Sequence, residues 1–156
     1  MKTAMTIAAY INNRYAREFG ERIEEMKLHK LLYFTQRECL IQTGEPMFIG
    51  RIEGWRLGPV VPVIRENYAN NSFNTNITDE TVAEYKAVLD YVFKHYAENK
   101  ASSLSLISRG EICWKNSRKG ILPHESSYRP IKLDDIRLDA IRIRDRRQML
   151  EAQGLL

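Results

Sequence analysis

The chain is poor in the residues that usually announce chemistry. Among 156 residues there are two cysteines and three histidines. Cys39 and Cys113 stand too far apart for a C-x-x-C pair or a disulfide framework, so reduced thiols in an intracellular core are the expectation. His29, His95 and His124 have no His, Cys or H-x-E partner at ligand spacing, which leaves a metal site without support. No G-x-S-x-G, P-loop or G-x-G-x-x-G occurs. The stretch Gly54-Trp55-Arg56-Leu57-Gly58 has the pattern of a strand and turn, not of a phosphate cradle. No apolar run approaches the roughly 20 residues of a membrane span. The first such run is broken by Asn12, Asn13 and Arg14, so it reads as neither signal peptide nor anchor. Internal repeats, low-complexity tracts and linkers are also missing. No catalytic group, metal or cofactor is expected from these residues.

What is there is the make-up of a soluble globular protein. Apolar residues form 44% and charged residues 28% of the chain, which argues against global disorder. The length suits a single domain over residues 1–156, large enough to bury a core without disulfides or metal. A formal charge of +4 is mildly basic and tolerates an acidic partner without requiring nucleic acid. The expected setting is the cytoplasm.

Periodicity predicts a mainly α fold, a compact bundle of about six helices with room for a short β-hairpin. Ile7, Ala8, Ile11 and Tyr15 give an amphipathic helix over about 3–19, stopped by Gly20. Leu28, Leu31, Leu32, Thr35 and Cys39 mark a second helical face, widened by Tyr33, Phe34 and Ile41, so this helix should be central; Gly44 and Pro46 end it. Between Met47 and Leu57 the period shortens to two, predicting one or two short strands, with Gly58-Pro59 as a break and Pro62 opening the next helix. Residues 70–74 read as loop, and Ile77 as a strand that completes a small hairpin. Thr78 should cap one long helix carrying Val82, Tyr85, Leu89, Val92, Phe93 and Tyr96. Ser102-Ser103 should cap a shorter one with Leu104 and Ile107. A turn or two over 111–118 points Trp114 inward, 119–130 is loop, and a last helix starts near Leu133.

Several residues admit a functional and a plain reading. His29 falls on the polar side of its helix, where a solvated or satisfied histidine is the plain case. Glu24-Glu25 and Asp134-Asp135 are sequence neighbours at helix starts; adjacent helical residues diverge, so capping explains them better than acid–base pairing. From Lys132 to Arg147 there are six basic and four acidic residues, too dilute a stripe to track nucleic acid. Trp114 reads as core. Trp55 has two readings: core by base rate, or binding hot spot, because it precedes Arg56 in a short strand expected at a sheet edge.

In chain order, Lys27-Leu28-His29-Lys30-Leu31-Leu32-Tyr33-Phe34, Gly44-Glu45-Pro46-Met47-Phe48 and Glu53-Gly54-Trp55-Arg56-Leu57-Gly58-Pro59-Val60-Val61-Pro62 resemble the Panacea (SocA-like) antitoxin domain. The stretch Leu104–Trp114 resembles a further motif of that family, and Ile131 with Ile136 its closing helix, so the likeness covers about residues 5–140. Three departures stand out. Gly54 occupies a usual alanine, Ser108-Arg109 a Thr-His, and Cys113 a proline. The resemblance implies structural roles for Lys30, Leu31, Gly58, Pro59 and Trp114. It implies a non-enzymatic antitoxin of bacterial or prophage origin that binds a cognate protein toxin. Partner-binding anchors are expected at Tyr33, Trp55, Arg56 and Tyr68, which flank the Gly58-Pro59 elbow. Delivery of the toxin to a protease is the alternative. A DNA-binding regulator has only the tail arginines behind it, and an enzyme has no positive feature.

Overall fold

The computed structural model describes residues 2–73 and 76–156. Its architecture follows from one helix. α1 (Ala4–Phe19) is followed by α2 (Glu25–Thr43), and the first helix, the hairpin and most later helices pack against α2. Gly20 and Gly44 end the two helices in left-handed caps, as their positions predict. Thr3 accepts the amide of Thr6 at the start of α1.

The width of α2's apolar surface is only half of what makes it central. Every residue from Lys27 to Ile41 is buried, including Lys27, Lys30, Gln36, Arg37 and Glu38. Each of these polar groups completes a hydrogen bond that another segment leaves open. Lys27 Nζ donates to the Ala97 carbonyl at 2.9 Å. Gln36 Nε2 donates to Phe48 O at 2.9 Å while its Oε1 accepts from Met47 N, also at 2.9 Å. Glu38 accepts both terminal nitrogens of Arg147, at 2.8 and 3.0 Å. Irregular segments have no ladder of their own, so packing them against a helix requires such side-chain partners. His29 belongs to this set: it is buried rather than on a solvated face, and it is satisfied on both ring nitrogens.

β1 (Lys2–Thr3) pairs in parallel with β2 (Phe48–Ile49). β3 (Glu53–Trp55) pairs antiparallel with β4 (Gly58–Val60), in the register Glu53↔Val60, Gly54↔Pro59 and Trp55↔Gly58. Gly58-Pro59 is therefore not the break; Arg56-Leu57 makes the turn and Pro59 lies in the return strand. Proline fits there because a partner-free edge asks no N–H of it. Nor is β3 an open edge: on its other side Gly54 N donates to Arg129 O and Ile131 N to Ile52 O.

α3 (Pro62–Tyr68) opens on Pro62 at its first position. Within 70–74, Asn74 lies outside the described residues, and Ile77 forms no strand but packs part-buried on the core. The single helix expected from Thr78 is two, α4 (Asp79–Glu84) and α5 (Lys86–His95). Tyr85 leaves helical geometry between them, yet Tyr85 N still reaches Thr81 O and Leu89 N reaches Tyr85 O, so the ladder runs on. α6 (Ala101–Arg109) starts after Lys100 with no side-chain cap, placing Ser102 and Ser103 inside its first turn. α7 (Ile112–Ser117) and α8 (Leu133–Ala152) complete eight helices among the described residues, against about six expected. Neither Glu24-Glu25 nor Asp134-Asp135 makes a capping hydrogen bond. Glu25 is used elsewhere, as described below. Cys39 and Cys113 are free and buried. No described helix is long and apolar enough to cross a membrane.

Candidate functional site

The β3–β4 hairpin, the start of α2 and the segment before Pro130 enclose a groove of about 280 Å³. Trp55 forms one wall. Its Nε1 donates to Glu53 Oε1 at 2.9 Å, and Arg51 holds the same carboxylate from outside at 2.6 Å. Tyr128 meets the indole edge to face, with centroids 4.9 Å apart at 75°. The Arg65 guanidinium lies 5.1 Å from the indole centroid, a cation–π contact. From behind, Trp114 Nε1 donates to Trp55 O at 2.8 Å. An aromatic ring held from these sides has little rotamer freedom left to lose when something packs on it.

The opposite wall is polar and already ordered. Glu25 Oε2 accepts from Arg65 Nη1 and from His29 Nε2, each at 2.9 Å. His29 Nδ1 accepts the amide of Val61 at 3.1 Å, so the neutral ring carries its proton on Nε2. Burial, helped by the neighbouring Lys30 and Arg65 charges, pulls the His29 pKa down to about 4 against the opposing pull of Glu25. The imidazole is thus neutral near pH 7 and acts as a fixed strut. Exposed Arg56 and Leu57 stand at the hairpin tip beside this wall.

The hairpin's shape is set from beneath. Buried Lys30 donates to Pro59 O at 2.9 Å and touches Met26 Sδ at the same distance. Gly58 has φ +114°, and a Cβ there would come within 2.7 Å of Ser108 Oγ and 2.8 Å of Lys30 Cε. Burial lowers the Lys30 pKa to about 7, with Arg109 adding to the effect. Ser105 donates to Leu57 O, fixing the turn to α6.

The residues singled out in the sequence divide sharply. Trp55 and Arg56 line the groove. Lys30, Gly58 and Pro59 converge under it, Leu31 is wholly inside the core, and Trp114 backs the indole. Tyr33 does not reach a surface: it is 0% exposed and its hydroxyl pairs with Cys113 Sγ at 3.2 Å, so the anchor role expected for it is withdrawn. Tyr68 lies outside the groove, its hydroxyl donating to Ile23 O at 2.7 Å under the Arg22 guanidinium. Glu25, Arg65 and Tyr128 escaped sequence reading. The i,i+4 spacing of Glu25 and His29 carried a signal for the first. Tyr128, in an aperiodic loop, carried none.

The three family departures have local reasons here. A Cβ on Gly54 would overlap Ser117 Oγ and stand 3.0 Å from Ser117 Cβ, so this chain needs glycine where alanine is usual. Ser108 fills the space beside Gly58. Cys113 has the N–H a proline lacks, and donates it to Asp139 Oδ2 at 2.8 Å.

Comparison with known proteins agrees with the resemblance. The family described as "Antitoxin SocA-like, Panacea domain" matches residues 28–115, more than half of the chain. Antitoxin SocA of Caulobacter vibrioides (strain NA1000 / CB15N) is 39% identical over 49 residues, which are 31% of this chain and 26% of that protein. The aligned segment therefore spans about a quarter of that relative's length. No solved structure matches. With the Trp55–Pro59 hairpin, α2 from Leu28 onward and Trp114 behind the hairpin inside the matched span, the chain belongs to the SocA-like, Panacea antitoxin domain family.

Proposed function

We propose that this protein is a cytoplasmic antitoxin that neutralises a cognate protein toxin by direct binding, with the Trp55 groove as its docking site. The observation that carries this reading is a preorganised aromatic anchor, Trp55, with an exposed arginine and leucine beside it. Trp and Arg dominate binding hot spots, and clustered anchors of this kind supply most of an interface's affinity. At about 280 Å³, and open to solvent beside Arg56 and Leu57, the groove has room for a partner's side chain. Inhibition by occlusion needs only such a surface and no reacting group.

The test is co-expression with the product of each gene adjacent to this one, scored by growth and by affinity of the purified pair. Trp55→Ala should weaken binding about 30-fold, the loss expected of a hot-spot residue near 2 kcal/mol. Arg56→Glu, at an exposed turn position, should weaken it without touching the fold. Full neutralisation by both variants, each shown folded by circular dichroism, removes the groove from the interface. Toxin levels should stay constant while growth recovers; a fall in toxin would shift the reading to delivery to a protease.

A further inference from the structure

α8 turns one side to the core and leaves the other without a partner. It buries Ile136, Asp139 and Ala140, while its outward side carries Leu138 at 50% and Met149 at 54% exposure. Between these two stand Arg142 and Asp145, both exposed. Helical residues three and four apart share a face, so the four side chains form one continuous stripe. Arg142 forms no ion pair among the described residues. Asp145 has only its sequence neighbour Arg144 at 3.7 Å, a surface contact of little worth.

The stripe is its own complement. Read in either direction it runs apolar, charge, opposite charge, apolar, at spacings of four, three and four residues. Those alternating steps are the steps of a coiled-coil seam. A second α8 turned end for end sets Leu138 against Met149 and Arg142 against Asp145, and the two-fold makes each contact twice. The axis falls near the middle of α8, so the two helices overlap along nearly all of its 20 residues. Charge also selects this register. A slide that puts Ile141 on Met149 stacks Asp145 on Asp145 of the second copy, and a parallel pairing stacks Arg142 on Arg142.

We propose that the outward face of α8 is a docking surface for a second copy of this chain, paired antiparallel, with Arg142 of each copy on Asp145 of the other. One helix face buries less than the roughly 1,200 Å² of a standard interface, so the dimer is weak, with a Kd on the order of 100 μM. At the low-micromolar concentrations of an unfolding experiment the chain is then a monomer. The stripe shares no residue with the Trp55 groove and does not rest on the toxin-binding reading.

Sedimentation equilibrium of the full chain, from about 10 μM to about 1 mM, tests the proposal. A monomer–dimer equilibrium is expected. Arg142→Asp makes both central residues acidic and Asp145→Arg makes both basic, so each variant alone should dimerise about tenfold more weakly. The two variants mixed should recover dimerisation, because every facing pair is again opposite in charge. All four positions are exposed, and circular dichroism checks that the helix is kept. Under mild oxidation, Leu138→Cys mixed with Met149→Cys should cross-link far faster than either variant alone; Cys39 and Cys113 are buried. Trp55→Ala should associate as the parent does. A chain that stays monomeric up to about 1 mM overturns the proposal, that being the weak end of useful affinity. So does unchanged association in either charge variant, no gain on mixing them, or equal cross-linking by Leu138→Cys alone. A loss in Trp55→Ala overturns it as well, by moving the contact to the groove.

Discussion

α2 and α8 have nearly the same length, 19 and 20 residues, and both carry many charges, yet they live in opposite environments. α2 buries lysine, arginine and glutamate; α8 buries only Ile136, Asp139 and Ala140 and leaves Leu138 and Met149 about half exposed. Composition separates them only in part, since each has nine apolar residues but α2 has five charged residues and α8 ten. What separates them is whether neighbours offer partners: around α2 lie the carbonyls of Pro59, Ala97 and Phe48 and the carboxylate of Glu111. A charge can be buried only where its hydrogen bonds are replaced. α8 faces solvent along most of its length, so its charges need no replacement. The one place where the two helices exchange charge, Arg147 with Glu38, is where α8 is fastened to the core.

Substitutions can break or sharpen that contrast. Leu32→Ala, in the middle of α2, should cost about 2–5 kcal/mol by denaturant unfolding, whereas Leu138→Ala on α8 should stay within about 0.5 kcal/mol. Equal costs would mean that α8's exposed leucine is packed in solution. Two neighbours on α8 make a finer test. Arg147→Ala strands a fully buried Glu38 and should cost about 3 kcal/mol, while Arg146→Ala should be neutral to within about 0.5 kcal/mol. In the hairpin that α2 supports, Gly54→Ala should cost about 1–3 kcal/mol through overpacking on Ser117, and adding Ser117→Gly should recover most of it.

The smallest effect is a pH slope. Lys30 titrates near 7 when folded against 10.5 when free, because burial disfavours its charge. Above about pH 7 the unfolded chain holds more protons at this site than the folded one, so stability rises with pH there; below it the penalty is complete. Burial raises the pKa values of Tyr33 and Cys113, and these groups pull stability down at higher pH. Between pH 7 and 8.5 Lys30→Met should therefore flatten the stability slope by up to about 1 kcal/mol per pH unit. Superimposable slopes for parent and variant would show that Lys30 is solvated.

Much of this fold was legible along the chain. The α1 stripe with its Gly20 stop, the central rank of α2, Pro62 at a helix start and the beginning of α8 near Leu133 all follow from period and capping chemistry. The break at Tyr85 was not legible, because the apolar period continues across it. Gly58-Pro59 misled for a physical reason. Gly-Pro ordinarily ends a strand, but here Lys30 takes the carbonyl of Pro59 and the register turns its missing N–H outward. Of the groove, Trp55 and Arg56 were visible as types suited to binding, whereas Tyr128 arrives from a loop 73 positions later with no pattern to announce it. Tyr33 was misplaced because α2 has no outside face at that point, a fact that only its neighbours on both sides establish.

The sequence alone determined the helical class, the family and the residue types at the hairpin, since these depend on local period, capping and motif order. Tertiary structure decided which polar residues of α2 became internal fasteners, which arginines of α8 stayed exposed and which aromatic lines the surface groove. Those outcomes depend on the acceptors and charges that distant segments bring alongside, and spacing along one chain does not encode them.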